Sequence, residues 1–134
     1  MIFVLDTNVL SERTKRQPDA RVSDFLRRVP VESVRLSAMA LAEIAQGVEN
    51  NPTRELKRFL AEVLTLVIAP FGEVEALEWG RVTSSALSKG LDPMVRDTVI
   101  AATAAAHGWT VATRNTKDFV PLGVKVFNPW IEDL

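Results

Sequence analysis

Short apolar runs alternate along the chain with longer stretches whose apolar residues recur every three or four positions. Ile2 to Leu5 is the first run, unbroken and β-prone, as in a strand buried on both faces. Segments 33–36, 66–69, 110–113 and 124–127 read as four more strands. Between them the helical period takes over. Asp19 is placed to cap a helix through Val22, Phe25, Leu26 and Val29 that stops at Pro30. Ser37 caps a second, from Ala38 to about Glu49, with Leu41, Ile44 and Val48 on one face. Asn51-Pro52 marks a break, with Pro52 suited to a first helical position. Leu56, Phe59, Leu60, Val63 and Leu64 then give a strongly amphipathic helix. The tight break makes these two a helical hairpin, expected to project from the sheet and to offer the surface of a homodimer. A long helix from about Glu73 to Ser88 ends at Gly90. Asp92-Pro93 restarts the chain as N-cap and first residue of an alanine-rich helix terminated by Gly108. This alternation predicts an α/β fold, a three-layer sandwich around a central, mostly parallel sheet.

A chain of 134 residues makes one domain, 1–134, with room for a real core. The absence of cysteine excludes disulfides, thiolate metal sites and a cysteine nucleophile. One histidine, His107, cannot build a zinc site of several imidazoles. A formal charge of −1 argues against a histone-like nucleic-acid binder but leaves room for a basic patch beside an acidic site. The apolar runs are too short for a membrane span and no signal peptide precedes Met1, so a cytoplasmic protein is expected.

The chemistry lies in the carboxylates. Asp6 follows the first strand at once, and in open parallel sheets ligands sit outside the carboxyl ends of the strands. Alternatively Asp6 only caps the next helix, since Thr7 and Asn8 suit a helix start or turn. Glu43 lies between the small residues Ala40 and Gly47, which let another backbone approach. It is therefore expected to be partly buried and to need a cation or a hydrogen-bond partner. Asp97 heads a stripe of Ala101, Ala104 and Gly108 near a helix N-terminus, where the dipole favours an anion. Capping accounts for Asp92. Asn115 and Asp118 leave the end of the fourth strand, the same setting as Asp6. Asn115 suits a turn, while Asp118 either caps one or reaches a metal.

Several acids with almost no imidazole imply a hard divalent ion held by oxygen, Mg²⁺ or Mn²⁺. Such sites serve phosphoryl chemistry. Crowded carboxylates without metal should leave at least one hard to ionise. Relieving that repulsion with Asp6→Asn is then expected to leave the metal-free protein at least as stable. Arg13, Lys15 and Arg16 follow Asp6, and Arg96 and Arg114 adjoin the acids. These are either solvated charge or phosphate contacts, which would position a nucleic acid without reading its sequence.

The stretches Val4 to Glu12, Ser37 to Gly47, Asp97 to Ala104 and Ala112 to Phe119 resemble, in order, the successive motifs of PIN-domain ribonucleases. More narrowly they resemble VapC-type toxins of the FitB-like branch, to which Val126 to Trp130 is also similar. The resemblance implies a PIN-like fold and a Mg²⁺-dependent endoribonuclease, dimeric and held inactive by an antitoxin whose tail fills the active groove. It makes Asp6 and Asp97 the principal metal ligands, with Glu43 and Asp118 completing the catalytic set. Asn115 stands where some relatives carry the fourth acid. Thr7, Asn8, Arg13, Arg114 and Asn115 are the substrate-binding candidates.

Other readings fit less well. Phosphotransferases of the haloacid-dehalogenase type mostly need a second aspartate where Asn8 stands, and no phosphate-receiver pattern of acids is present. No glycine-rich strand-to-helix turn supports a P-loop or Rossmann site. A metal-dependent phosphatase and a non-catalytic binding module for protein or nucleic acid remain, and chelation separates the module from a nuclease.

Overall fold

The computed structural model describes all residues, 1–134. Strands β1 (Phe3–Leu5), β2 (Val34–Ser37), β3 (Val67–Ala69), β4 (Thr110–Ala112) and β5 (Lys125–Phe127) build one sheet. Their order is β3-β2-β1-β4-β5 and every neighbouring pair is parallel. Parallel neighbours need long crossovers. These are supplied by α1 (Thr7–Ser11), α2 (Ala20–Arg28), α3 (Ala38–Asn50), α4 (Arg54–Val63), α5 (Glu73–Ser88) and α6 (Val95–His107), with the short α7 (Thr116–Phe119) leading into β5.

Successive strand residues point to opposite faces, so each central strand feeds two cores. Phe3 and Leu5 of β1 join Val34 and Leu36 of β2 against Val9, Val22, Phe25, Ile44, Phe59 and Val63 from α1 to α4. Val4 and Val111 face the other way, against Val82 and Ala86 of α5 and Ile100, Ala101 and Ala104 of α6. The three-layer sandwich is thus present, and its sheet is parallel throughout. No helix is long and apolar enough to cross a membrane.

Two helix starts follow their capping signals. Asp19 accepts from the Arg21 and Val22 amides at 2.9 and 3.1 Å, and Ser37 from the Ala40 amide at 3.1 Å. Two others differ from expectation. Pro52 lies outside α4, because Thr53 supplies the capping oxygen, 3.1 Å from the Leu56 amide. Nor does Asp92-Pro93 open α6. Met94 is extended and caps the helix, its carbonyl accepting from the Asp97 and Thr98 amides. That later start moves Asp97 into the first turn of the helix. The α3–α4 hairpin does not project, either. The apolar face of α4 finds a nearer surface to cover, and Phe59 and Val63 are buried in the core.

Candidate functional site

From β1 the sheet grows outward in both directions, so its topological switch point lies between β1 and β4, where a crevice opens beyond the strand ends. Asp6 and Thr113 are the first residues past those two strands, and both side chains are fully buried. A buried carboxylate must be satisfied, and Asp6 is. Its Oδ1 accepts from the Thr7 amide at 2.8 Å and from Arg96 at 2.6 Å. Its Oδ2 accepts from the Thr113 hydroxyl at 2.7 Å and from the Asn8 amide group at 3.3 Å. Asp6 therefore both caps α1 and faces the crevice, so the two readings of this residue are not exclusive.

Glu43 comes from α3 and Asp97 from the first turn of α6, and both turn toward the same point. Glu43 is half-buried and has the partners its setting demands. Its Oε1 accepts from the Thr7 hydroxyl at 3.0 Å and from Arg96 at 2.9 Å, and its Oε2 from Arg96 Nε at 2.7 Å. Asp97 Oδ1 accepts from Arg96 Nη1 at 2.6 Å. One guanidinium thus binds three carboxylates drawn from three separate elements. Burial pulls the Arg96 pKa down, but its hydrogen bonds to Glu43 and Asp6 outweigh burial and hold the group above the ordinary arginine value. Asp97 moves up from the usual aspartate value of 3.8, chiefly through burial, with the charges of Asp118 and Asp6 adding to it against Arg96. One acid of the cluster is therefore hard to ionise, but burial is the first cause and crowding of like charges a lesser one.

The basis for a stabilising Asp6→Asn is absent, however. Arg96 compensates the crowding, and both Asp6 oxygens face donors, so an amide nitrogen in either orientation would meet N–H or O–H groups.

Asp118 is exposed on α7 and makes no hydrogen bond from its side chain, yet its charge is felt at Asp97. Asn115 is exposed just before α7, and its carbonyl accepts the Asp118 amide at 3.0 Å. Thr7 and Asn8 lie inside the cluster through the bonds above. Arg114 leans away, its guanidinium over the Trp130 ring at 5.1 Å, while its backbone amide meets Asn8 Oδ1 at 3.4 Å. Arg13 pairs with Glu62 of α4 at 3.6 Å, beside an apolar groove lined by Leu10, Leu26 and Phe59. Lys15 sits 2.8 Å from Oε2 of the buried Glu12, an oxygen with no better-directed donor.

Sequence reasoning missed three things. Arg96, by its sequence setting solvated charge or a phosphate contact, is instead turned inward. Thr113 was noted only as a strand residue, though a hydroxyl directly after a strand at the switch point is a usable signal. Glu12 was overlooked as a buried acid that ties the loop before α2 through the Asp19 amide at 2.8 Å. As they stand, no three acidic side chains are arranged to share one ion. They ring the guanidinium. Chemically the crevice is an all-oxygen donor set for a cation, closed on one side by the sheet.

A model of the PIN domain matches residues 3–121. Toxin FitB of Neisseria gonorrhoeae is 37% identical, over 96% of this chain and 99% of that protein. VapC ribonuclease Y4jK of Sinorhizobium fredii is 34% identical, over 96% and 98%. Among solved structures, FitAB bound to a DNA fragment superposes with a TM-score of 0.90 at 38% identity, covering 99% of both chains. VapBC2 of Rickettsia felis, also bound to DNA, gives 0.83 at 26% identity over 96% and 98%. A match across most of the length, in family, sequence and fold alike, means that the chain belongs to the PIN domain family.

Proposed function

We propose that this chain is a metal-dependent endoribonuclease, one PIN domain over residues 1–134, that acts in the cytoplasm as the toxin of a toxin–antitoxin pair. The observation that carries the reading is the convergence of Asp6, Glu43 and Asp97 from three elements on one point at the switch point of the sheet. PIN-domain VapC nucleases are generally metal-dependent. The residues present fit such a group: every donor is oxygen, and the three acids already surround a cation, the Arg96 guanidinium. That set suits Mg²⁺, with Mn²⁺ as a substitute. Asp6 and Asp97 are the principal ligands, with Glu43 and Asp118 completing the set.

A divalent ion bound there supplies acidity to a water molecule and charge neutralisation at the scissile phosphate. The protein supplies the rest. Thr113 and Asn8 hold Asp6 Oδ2, the Thr7 amide holds Asp6 Oδ1, and the Thr7 hydroxyl orients Glu43. Thr7, Asn8 and Asn115 are the residues proposed to meet the substrate, and Arg114 and Arg13 would contact phosphates farther along the strand on leaving Trp130 and Glu62. A VapB-like antitoxin is the protein partner that the FitAB and VapBC complexes of the relatives suggest, and a second copy of the chain is proposed beside it.

The test is RNA cleavage by the purified protein with Mg²⁺, with chelator, and with the product of the adjacent gene. Cleavage that requires Mg²⁺ and stops on addition of that product supports the proposal. Cleavage undiminished by chelation contradicts the metal, and no cleavage in any condition contradicts the nuclease.

A further inference from the structure

We propose that Arg96 is an exchangeable counter-ion of the acidic site: it holds the three carboxylates in place when no metal is bound and must leave for a divalent ion to enter. The inference rests on the metal-site reading above. Three carboxylates and one guanidinium leave a formal charge of −2 in a crevice where Asp6 is sealed from solvent and Asp97 nearly so. Without any cation the charge would be −3, and such a cluster would repel itself apart or take up protons. Arg96 prevents this with all three of its nitrogens, one to each acid and a second bond to Glu43. The planar fork of arginine makes this possible, whereas a lysine ammonium would act as a single point charge.

The same bonds block the ion. Of the six oxygens the three acids offer, Arg96 occupies four: Asp6 Oδ1, Asp97 Oδ1 and both of Glu43. The way out is open. The Arg96 side chain keeps 23% of its surface in solvent and Glu43 keeps 32%, so the guanidinium lies on the open side of the cluster with Asp6 beneath it. A ligand that binds only the fraction of molecules whose site is free has its apparent affinity reduced by that fraction. Arg96 thereby sets the metal concentration at which the site loads, and the departing guanidinium is left at the mouth of the crevice, where an RNA phosphate must pass.

The experiment compares the full chain with Arg96→Gln at pH 8, using Mg²⁺ and Mn²⁺ as titrants in calorimetry and thermal melts with and without each ion. Arg96→Gln should melt on the order of 5 °C lower without metal, yet bind the ion about tenfold more tightly and gain more from it in the melt. Equal or weaker binding in Arg96→Gln overturns the exchange, while leaving the metal site intact. Absence of binding in both proteins overturns the metal reading itself. Should the variant not fold, the parent alone decides. The Arg96 Nε–H signal, identified by its loss in Arg96→Lys, should be protected from solvent exchange without metal and lose protection on Mg²⁺ titration. Protection that persists at saturating Mg²⁺ contradicts displacement.

Discussion

The two ends of α6 hold acids of nearly equal burial and opposite character. At its start, Asp97 keeps 6% of its surface exposed; beside its last residue, His107, Glu75 of α5 keeps 5%. Glu75 accepts the Gly72 amide at 2.8 Å in a capping arrangement and lies 2.6 Å from His107 Nε2, with the His107 ring stacked on Trp109. The Gly72 hydrogen bond, aided by His107, outweighs burial and pulls its pKa below the ordinary value. Asp97 has one shared cation and two like-charged neighbours, and burial wins, so its pKa is raised. Glu75 is settled by donors from its own neighbourhood, and its charge stabilises the fold. A charge on Asp97 is costly, and Asp97 lies in a crevice at the switch point of the sheet.

The sharpest way to break this contrast is Asp6→Asn. It should lower RNA cleavage at least about 10²-fold and, because two donors would then face an amide nitrogen, destabilise the metal-free protein by about 2 kcal/mol. Normal cleavage would remove Asp6 from the chemistry; unchanged stability in chemical denaturation would mean that Arg96 and Thr113 find other partners at no cost.

Glu75→Gln should do the reverse, leaving cleavage at the parental level and lowering the melting temperature by about 4 °C at neutral pH. The sign with pH follows from a depressed carboxyl. Its stabilisation is fully present above the unfolded value of 4.5 and is lost as pH falls through the lower folded value. The parent should therefore lose stability more steeply than Glu75→Gln below pH 4.5, as melts across an acid series would show. Parallel curves would mean that Glu75 carries no linkage.

Asp118→Asn is the smallest change. An exposed acid without a hydrogen bond should shift stability by no more than about 0.5 kcal/mol. Its charge reaches Asp97, so metal affinity measured by calorimetry should still weaken by about tenfold. Unaltered affinity would return the fourth position to Asn115 or to water.

Much of this was legible in the residues. Runs such as Phe3–Leu5 and Thr110–Ala112 are buried because both faces of a parallel sheet are covered, and their alternation with helical periods carries the fold class. Asp6 and Glu43 could be singled out by local context, a strand end and a small-residue stripe. Arg96 could not, because its partners Glu43 and Asp6 lie 53 and 90 positions away, and only the crossover through α6 brings them to it. The start of α6 falls at Val95 with Met94 as its cap, although Asp92-Pro93 is a good local signal for a helix start. Glu75 was readable in principle from Gly72 three residues before it, but a glycine offers no capping side chain and the signal was weak.

The central claim is that Asp6, Glu43 and Asp97 form a divalent-metal site, and calorimetric titration of Mg²⁺ into the parent and Asp97→Asn tests it most directly. The account predicts saturable one-site heat in the parent and none in Asp97→Asn, although the variant remains folded. Equal binding by the two proteins, or none by the parent at millimolar Mg²⁺, would contradict it.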